Sequence, residues 1–224
     1  MTPATPTTHV LEALRARLMA EYAPVNRLRS PLVRAMWLSP LAALALLAAP
    51  LVFGMRPDAV RLGPGLTWGA SSVQALIAFA LLVAALRESV PGRAWSWPWA
   101  VVWLTAPIAL LGLVTAASWE ASPVLLRSEW GLVGVACFVG SAASALPVVA
   151  LAGILAASAY PTRPALAGAL LGLGAGLMAD AGWRLFCHFS EPAHVLSAHL
   201  GAVLVSVLLG SVLASAICRA RRRS

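Results

Sequence analysis

Residues 32–53, 66–86, 97–117, 131–157, 164–186 and 195–217 are six apolar runs separated by short polar breaks. A helix needs roughly 20 mostly apolar residues to cross a bilayer, and each run meets that length. Runs 97–117 and 131–157 contain no charged residue at all. Only 11% of the chain is charged and 60% is hydrophobic, whereas charged residues make up about a quarter of a soluble domain. The fold class expected is all-α: a polytopic membrane protein of six transmembrane helices, with a short amphipathic helix ahead of them. Residues 1–31 form the N-terminal segment, 32–217 the bundle and 218–224 a basic tail. The loops between runs are too short for a soluble domain. No cleavable leader is expected, because a polar stretch precedes a first run that is itself long enough to span.

Every basic residue is arginine, and the net charge is +8. In a soluble protein that charge would suggest nucleic acid, but the placement here argues topology instead. Arg15, Arg17, Arg27, Arg29, Arg34, Arg87, Arg93, Arg163, Arg219, Arg221, Arg222 and Arg223 fall on one side of the predicted bundle. Only Arg56, Arg61, Arg127 and Arg184 fall on the other. The positive-inside rule then places both termini in the cytoplasm, with no direct nucleic-acid partner. Trp68, Trp119, Trp130 and Trp183 sit near the outer ends of the runs, and Trp37, Trp95 and Trp97 near the inner ends.

Residues 9–22 read as a helix whose Leu11, Leu14, Leu18 and Tyr22 form one stripe, ended by Pro24. Such a helix can lie on lipid, dock under the bundle or enter a partner's groove. Pro40, Pro50, Pro107 and Pro147 lie inside runs and suggest kinks, which lipid-buried helices tolerate when neighbours satisfy the freed carbonyls. In the fifth run Gly168, Gly172 and Gly176 recur every four residues. That spacing lets another helix approach closely and places this run at the bundle centre.

The same face continues to Asp180, Arg184 and His188. A carboxylate within a span is a functional candidate with a partner to be named, and Arg184, four residues on, is the expected intramembrane ion pair; a purely structural pair is the alternative. Three cysteines without a CxxC motif exclude a disulfide scaffold. Cys218 lies at the inner end, beside the terminal arginines. Cys137, Cys187, His188, His194 and His199 all fall on the outward side by topology. Thiolate and imidazole suit Zn, Cu(I) or Cd, although the spacing matches no metal signature. His194 and His199, five apart, do not share an α-helical face. At 1.5 Å per residue Cys137 lies about 10 Å deeper than Cys187, so their meeting requires a tilt or an inward-dipping loop. No nucleophile–base pair or phosphate loop is present, and no enzymatic activity is expected. A small metal or proton transporter using the Cys/His/Asp cluster, and a quinone-linked thiol oxidoreductase, are the competing classes.

The segment HVLEALRARLMAEYAPVNRLRSPLVRAMWL resembles the N-terminus of the NrsF family (negative regulator of sigma F), with its short helix and Pro-Val-x-Arg-Leu-type turn before the first span. GMRPD after the first run, YPTRPALAGALLGLGAG at the fifth, and the positions of Cys137 and Cys187 resemble the same family. The resemblance implies a membrane-anchored anti-sigma factor of the bacterial inner membrane. It would hold an extracytoplasmic-function sigma factor through residues 9–30, including Leu11, Leu14, Leu18, Tyr22, Pro24, Val25, Arg27 and Leu28. It implies sensing of heavy-metal or related stress at Cys137 and Cys187, with His188, His194 and His199 as weaker candidates. No constitutive cofactor is expected, only Zn, Cu or Cd as a signal ligand.

Overall fold

The computed structural model describes residues 6–20, 27–124 and 130–223, and among these every regular element is helical. Among the described residues five helices are long and apolar enough to cross a membrane: Ala59–Glu88, Trp97–Ala121, Gly131–Ala157, Pro164–Phe186 and Pro192–Arg221. A shorter apolar helix, Ser39–Phe53, accompanies them.

The first expected span is therefore interrupted. Helix α2 (Pro31–Met36) is capped by Ser30, whose Oγ accepts from the Val33 N–H at 3.3 Å. Two residues separate α2 from helix α3 (Ser39–Phe53). The break has a local cause: Pro40 cannot donate to the Met36 carbonyl and its ring crowds that carbonyl. The Ser39 hydroxyl takes the vacated position, donating to Met36 O at 2.7 Å. At 1.5 Å per residue, α3 alone falls short of the roughly 30 Å hydrocarbon thickness. Arg34 on α2 is buried and donates to the Leu155 carbonyl.

Ahead of these, α1 (Pro6–Ala20) begins three residues before the expected His9, and Leu11, Leu14 and Leu18 on it are exposed. Arg27 and Leu28 lie in an exposed, non-helical approach to α2. Tyr22, Pro24 and Val25 lie outside the described residues.

The second long helix is composite. It comprises α4 (Ala59–Pro64), a π-helical turn (Gly65–Gly69) and α5 (Ala70–Glu88), with Gly63 at φ 71° marking a kink before Pro64. Helices α6 (Trp97–Ala121), α7 (Trp130–Ala157) and α8 (Pro164–Phe186) follow. The last long helix joins a short α9 (Pro192–His194), a second π-helical turn (Val195–Leu200) and α10 (Gly201–Arg221).

Helix α8 occupies the centre, and nearly every residue from Ala167 to Leu185 is buried. Its glycines explain how. A Cβ at Gly168 or Gly172 would collide with the Gly210 or Ser206 backbone carbonyl of α10. One at Gly182 would collide with Leu46 O of α3, and one at Gly174 would press on Ala78 O of α5. Trp183 fills the space beside Gly140 of α7 and donates from Nε1 to Ser144 Oγ at 3.1 Å. Trp183 is thus a packing residue at 8% exposure and not part of a lipid-facing girdle, in contrast to Trp68 and Trp97, which are exposed.

One end of the bundle is tied by a buried carboxylate. Glu88, 1% exposed, accepts from Arg163 Nε at 2.8 Å and from the Trp95 N–H at 2.7 Å. Arg163 also donates to Trp95 O at 2.6 Å, so both loops at this end close on one ion pair.

Gly172→Val tests the central packing. Overpacking a tight contact costs about 1–3 kcal/mol, so the detergent-solubilised variant melts at a lower temperature than the parent. Gly112→Val, at a position where an added Cβ meets nothing within 4 Å, leaves the melt unchanged. Equal melts for the two variants contradict the backbone-to-backbone contact.

Candidate functional site

At the opposite end, α8 stops at Phe186 and the chain turns inward instead of leaving the bundle. The Cys187 N–H still bonds to Trp183 O at 2.7 Å. What draws the loop in is Arg56, in the turn after Gly54, whose φ of 86° lets the chain reverse at the end of α3. The Arg56 guanidinium is buried against Asp58, donating from Nε to Oδ1 at 2.6 Å and from Nη2 to Oδ2 at 2.9 Å. Its remaining donors reach Arg184 O at 3.3 Å, His188 O at 3.2 Å and Ser190 Oγ at 3.1 Å. The Arg56 backbone N–H adds a bond to Leu185 O at 2.9 Å. Planar guanidinium geometry suits this bidentate-plus-carbonyl role, which a lysine could not reproduce. Asp58 sits below the usual carboxylate range: burial pushes its carboxyl up, but the Arg56 hydrogen bond and charge prevail.

The inward loop removes the depth difference between the two cysteines. Cys137, two turns into α7, and Cys187 are both buried, with their Sγ atoms 3.6 Å apart. His194 Nε2 lies 3.3 Å from Cys187 Sγ. His199 completes the group: one potential ligand atom from each of Cys137, Cys187, His194 and His199 lies within 4.8 Å of all the others. The Cys187 thiol is held well below the ordinary thiol range, chiefly by the hydrogen bond with Cys137, against its burial and with help from His194 and His199. A thiolate is the form that binds metal and attacks disulfides.

The two histidines meet through the second π-helical turn. On an α-helix, residues five apart point about 140° away from each other. The i→i+5 bonding of Val195–Leu200 brings them back toward one face, and their ring centroids are 5.1 Å apart. Single π turns are frequent at functional sites for this kind of reason.

Asp180 binds across the bundle and not along its own helix. It accepts from His199 Nδ1 at 2.7 Å and from Gln74 Nε2 of α5 at 2.7 Å, and is fully buried. Arg184, the expected partner one turn on, instead donates to Thr115 Oγ1 of α6 at 3.2 and 3.3 Å. Asp180 and Arg184, the expected intramembrane ion pair, share no hydrogen bond, because the closer imidazole and amide occupy both carboxylate oxygens, but their charges still attract each other. His188 stays outside the cluster, its ring against Phe189 at 4.1 Å and its carbonyl on Arg56.

The sequence reading names the four ligand-type residues that the structure brings together and does not single out Arg56, Asp58 or Gln74. The GMRPD pattern carried the signal for the first two. For Gln74, a lone amide in an apolar run was the available sign.

With this geometry in place, the comparison with known families is decisive. Residues 18–219 match the family NrsF, Negative regulator of sigma F. The chain belongs to the NrsF family. It is thus a member of a family of anti-sigma factors, with a sigma factor as partner. The match covers the whole helical bundle, both cysteines and the Arg56 clamp, while Leu11 and Leu14 of α1 precede it. No curated protein and no solved structure matches the chain.

Arg56→Gln tests the clamp. Removing one member of a buried ion pair is worth about 3–5 kcal/mol, enough to let the loop open. In a background with Cys137 and Cys218 changed to serine, Cys187 reacts with a charged maleimide about tenfold faster or more. An unchanged rate shows that the loop is held by something else.

Proposed function

We propose that this chain is a membrane-anchored anti-sigma factor that holds an extracytoplasmic-function sigma factor at the bacterial inner membrane. It crosses the bilayer six times, counting α2 and α3 as one broken span, with both termini in the cytoplasm. It releases the sigma factor when a metal or an oxidant acts at Cys137 and Cys187. The observation that carries the sensing half of this reading is the buried approach of the two sulfurs, from separate helices, to 3.6 Å. Two thiols at that separation can be bridged by one ion, or joined by a two-electron oxidation, with modest movement.

The sigma-binding half rests on the family and on α1. Leu11, Leu14 and Leu18 remain exposed on α1. Occlusion needs no chemistry: an apolar stripe covered by the sigma factor, and a bundle that keeps the complex at the membrane, suffice. An amphipathic helix entering a partner's groove is a common recognition mode. Arginines dominate the end from which α1 and the C-terminal tail emerge, which supports a cytoplasmic placement.

Transport is disfavoured by the packing next to Asp180. Continuing along the same face of α8, Gly176, Gly172 and Gly168 lie in direct contact with α10. A conduit would have to pass where two backbones touch.

Affinity capture from detergent-solubilised membranes tests the partner: the full chain retains a sigma factor and a version lacking residues 1–30 does not. Capture by both versions moves the contact surface elsewhere. For the signal, Cys137→Ser and Cys187→Ser each preserve repression but abolish induction by metal. Full induction in the double-serine strain would falsify sensing at this pair.

A further inference from the structure

Two thiols alone would need no histidine beside them, yet His194 and His199 are both buried, at 0% and 1% exposure, in a bundle whose core is mainly alanine, leucine and glycine. Burying imidazole is unfavourable unless its nitrogens are satisfied. One nitrogen of His199 is satisfied by Asp180. Since that bond uses Nδ1, Nε2 is the atom His199 has left to offer. His194 directs Nε2 to Cys187 and has no partner for Nδ1.

The two shortest approaches among these atoms match the edges of a coordination polyhedron, and all four atoms lie within 4.8 Å of one another. With metal–sulfur bonds near 2.3 Å and metal–nitrogen bonds near 2.0–2.1 Å, a tetrahedron separates its ligand atoms by roughly 3.3–3.8 Å. The sulfur–sulfur and sulfur–nitrogen distances here are 3.6 and 3.3 Å. A linear two-coordinate ion with the same bond length would hold the sulfurs roughly 4.6 Å apart, about an ångström too far.

We propose that Cys137, Cys187, His194 and His199 form one four-coordinate S2N2 site for a divalent cation of tetrahedral preference, of the Zn2+ and Cd2+ class. Asp180 is the positioning residue of that site. Its carboxylate fixes the tautomer and ring plane of His199, and Gln74, which also donates to Leu177 O at 3.0 Å, fixes the carboxylate. A carboxylate behind a metal-bound imidazole raises its basicity and orients it, and removing such a partner typically weakens metal binding 10–100-fold. This assignment deepens the sensor reading by naming the coordination and the class of ion, and rests on that reading only for its biological use.

The test uses the full chain, purified in detergent under reducing conditions and titrated with Co2+ as a spectroscopic stand-in for Zn2+. The expected result is one Co2+ per chain, with thiolate charge-transfer absorption and intense tetrahedral d–d bands, displaced by Zn2+. Asp180→Asn weakens binding 10–100-fold while the d–d pattern persists, and Asp180→Glu recovers part of the loss. His194→Gln and His199→Gln each alter the d–d bands. The tryptophan emission spectrum of each variant, with Trp183 beside the site, reports that the bundle is still folded.

Unaltered bands and affinity in both histidine variants would reduce the site to a dithiol and overturn the proposal. So would absence of thiolate-to-metal absorption in the parent. No sigma factor enters the titration, so its failure leaves the anti-sigma reading standing. Equally, a positive titration without sigma capture leaves the metal site standing.

Discussion

Within a bilayer, apolar helices gain little by preferring each other to lipid, so association depends on how closely their backbones can approach. Helix α8 meets that constraint by presenting glycine on several faces. Gly168 and Gly172 face α10, Gly174 faces α5 and Gly182 faces α3, while Trp183 fills the hollow at Gly140 of α7. A single helix in touch with four others fixes their relative depth. That depth places Gln74 of α5 and His199 of the last long helix on the two oxygens of Asp180. The polar site is thus a consequence of the glycine packing, because without the close approach neither bond would span the gap.

The two ends of the bundle are closed by the same device in different settings. At one end Arg163 and Glu88 gather the Trp95 backbone. At the other, Arg56 and Asp58 gather the carbonyls of Arg184 and His188. A buried ion pair gives modest net stability, but losing one partner is expensive, so each pair enforces one loop path. At the second end, that path is what carries Cys187 down to Cys137.

Much of this fold was legible in the sequence, and the reasons for the rest are specific. The apolar runs and the glycine spacing announced a helical bundle with the fifth run at its centre, since length and small-residue periodicity are local properties. The break at Pro40 was half legible: a proline in a span signals a kink, but only the structure shows Ser39 taking the freed Met36 carbonyl. The residues of the site were identified individually while their meeting was not. Counting 1.5 Å per residue assumes that the loop after α8 stays outside, and Arg56 overrides that assumption from about 130 residues away. Counting 100° per residue sets His194 and His199 apart, and one π turn overrides that as well. The sequence pairs Asp180 with Arg184 because i,i+4 is what a single helix offers. In the bundle, two other helices were nearer.

These departures bear on how a ligand could change the state of the protein. A ligand shifts a conformational equilibrium only by its difference in affinity between two arrangements, and moving a population from 1:99 to 99:1 takes about 5.5 kcal/mol. Apparent binding energies at four-ligand zinc sites are about 10–16 kcal/mol, so an arrangement lacking one or two of the four donors would supply that difference. The donors here are distributed to make such loss discrete. Cys137 is fixed in α7, Cys187 depends on the Arg56 clamp, and the histidine pair depends on an i→i+5 turn. Reverting that turn to i→i+4 bonding would carry His199 about 100° around the helix relative to His194, and would draw it from Asp180 too. Because the same last helix lies along Gly168 and Gly172 of α8, rotation near His199 meets tight backbone contact within three turns. A change made at the site is therefore resisted or transmitted by the central packing, with little room for it to be absorbed locally.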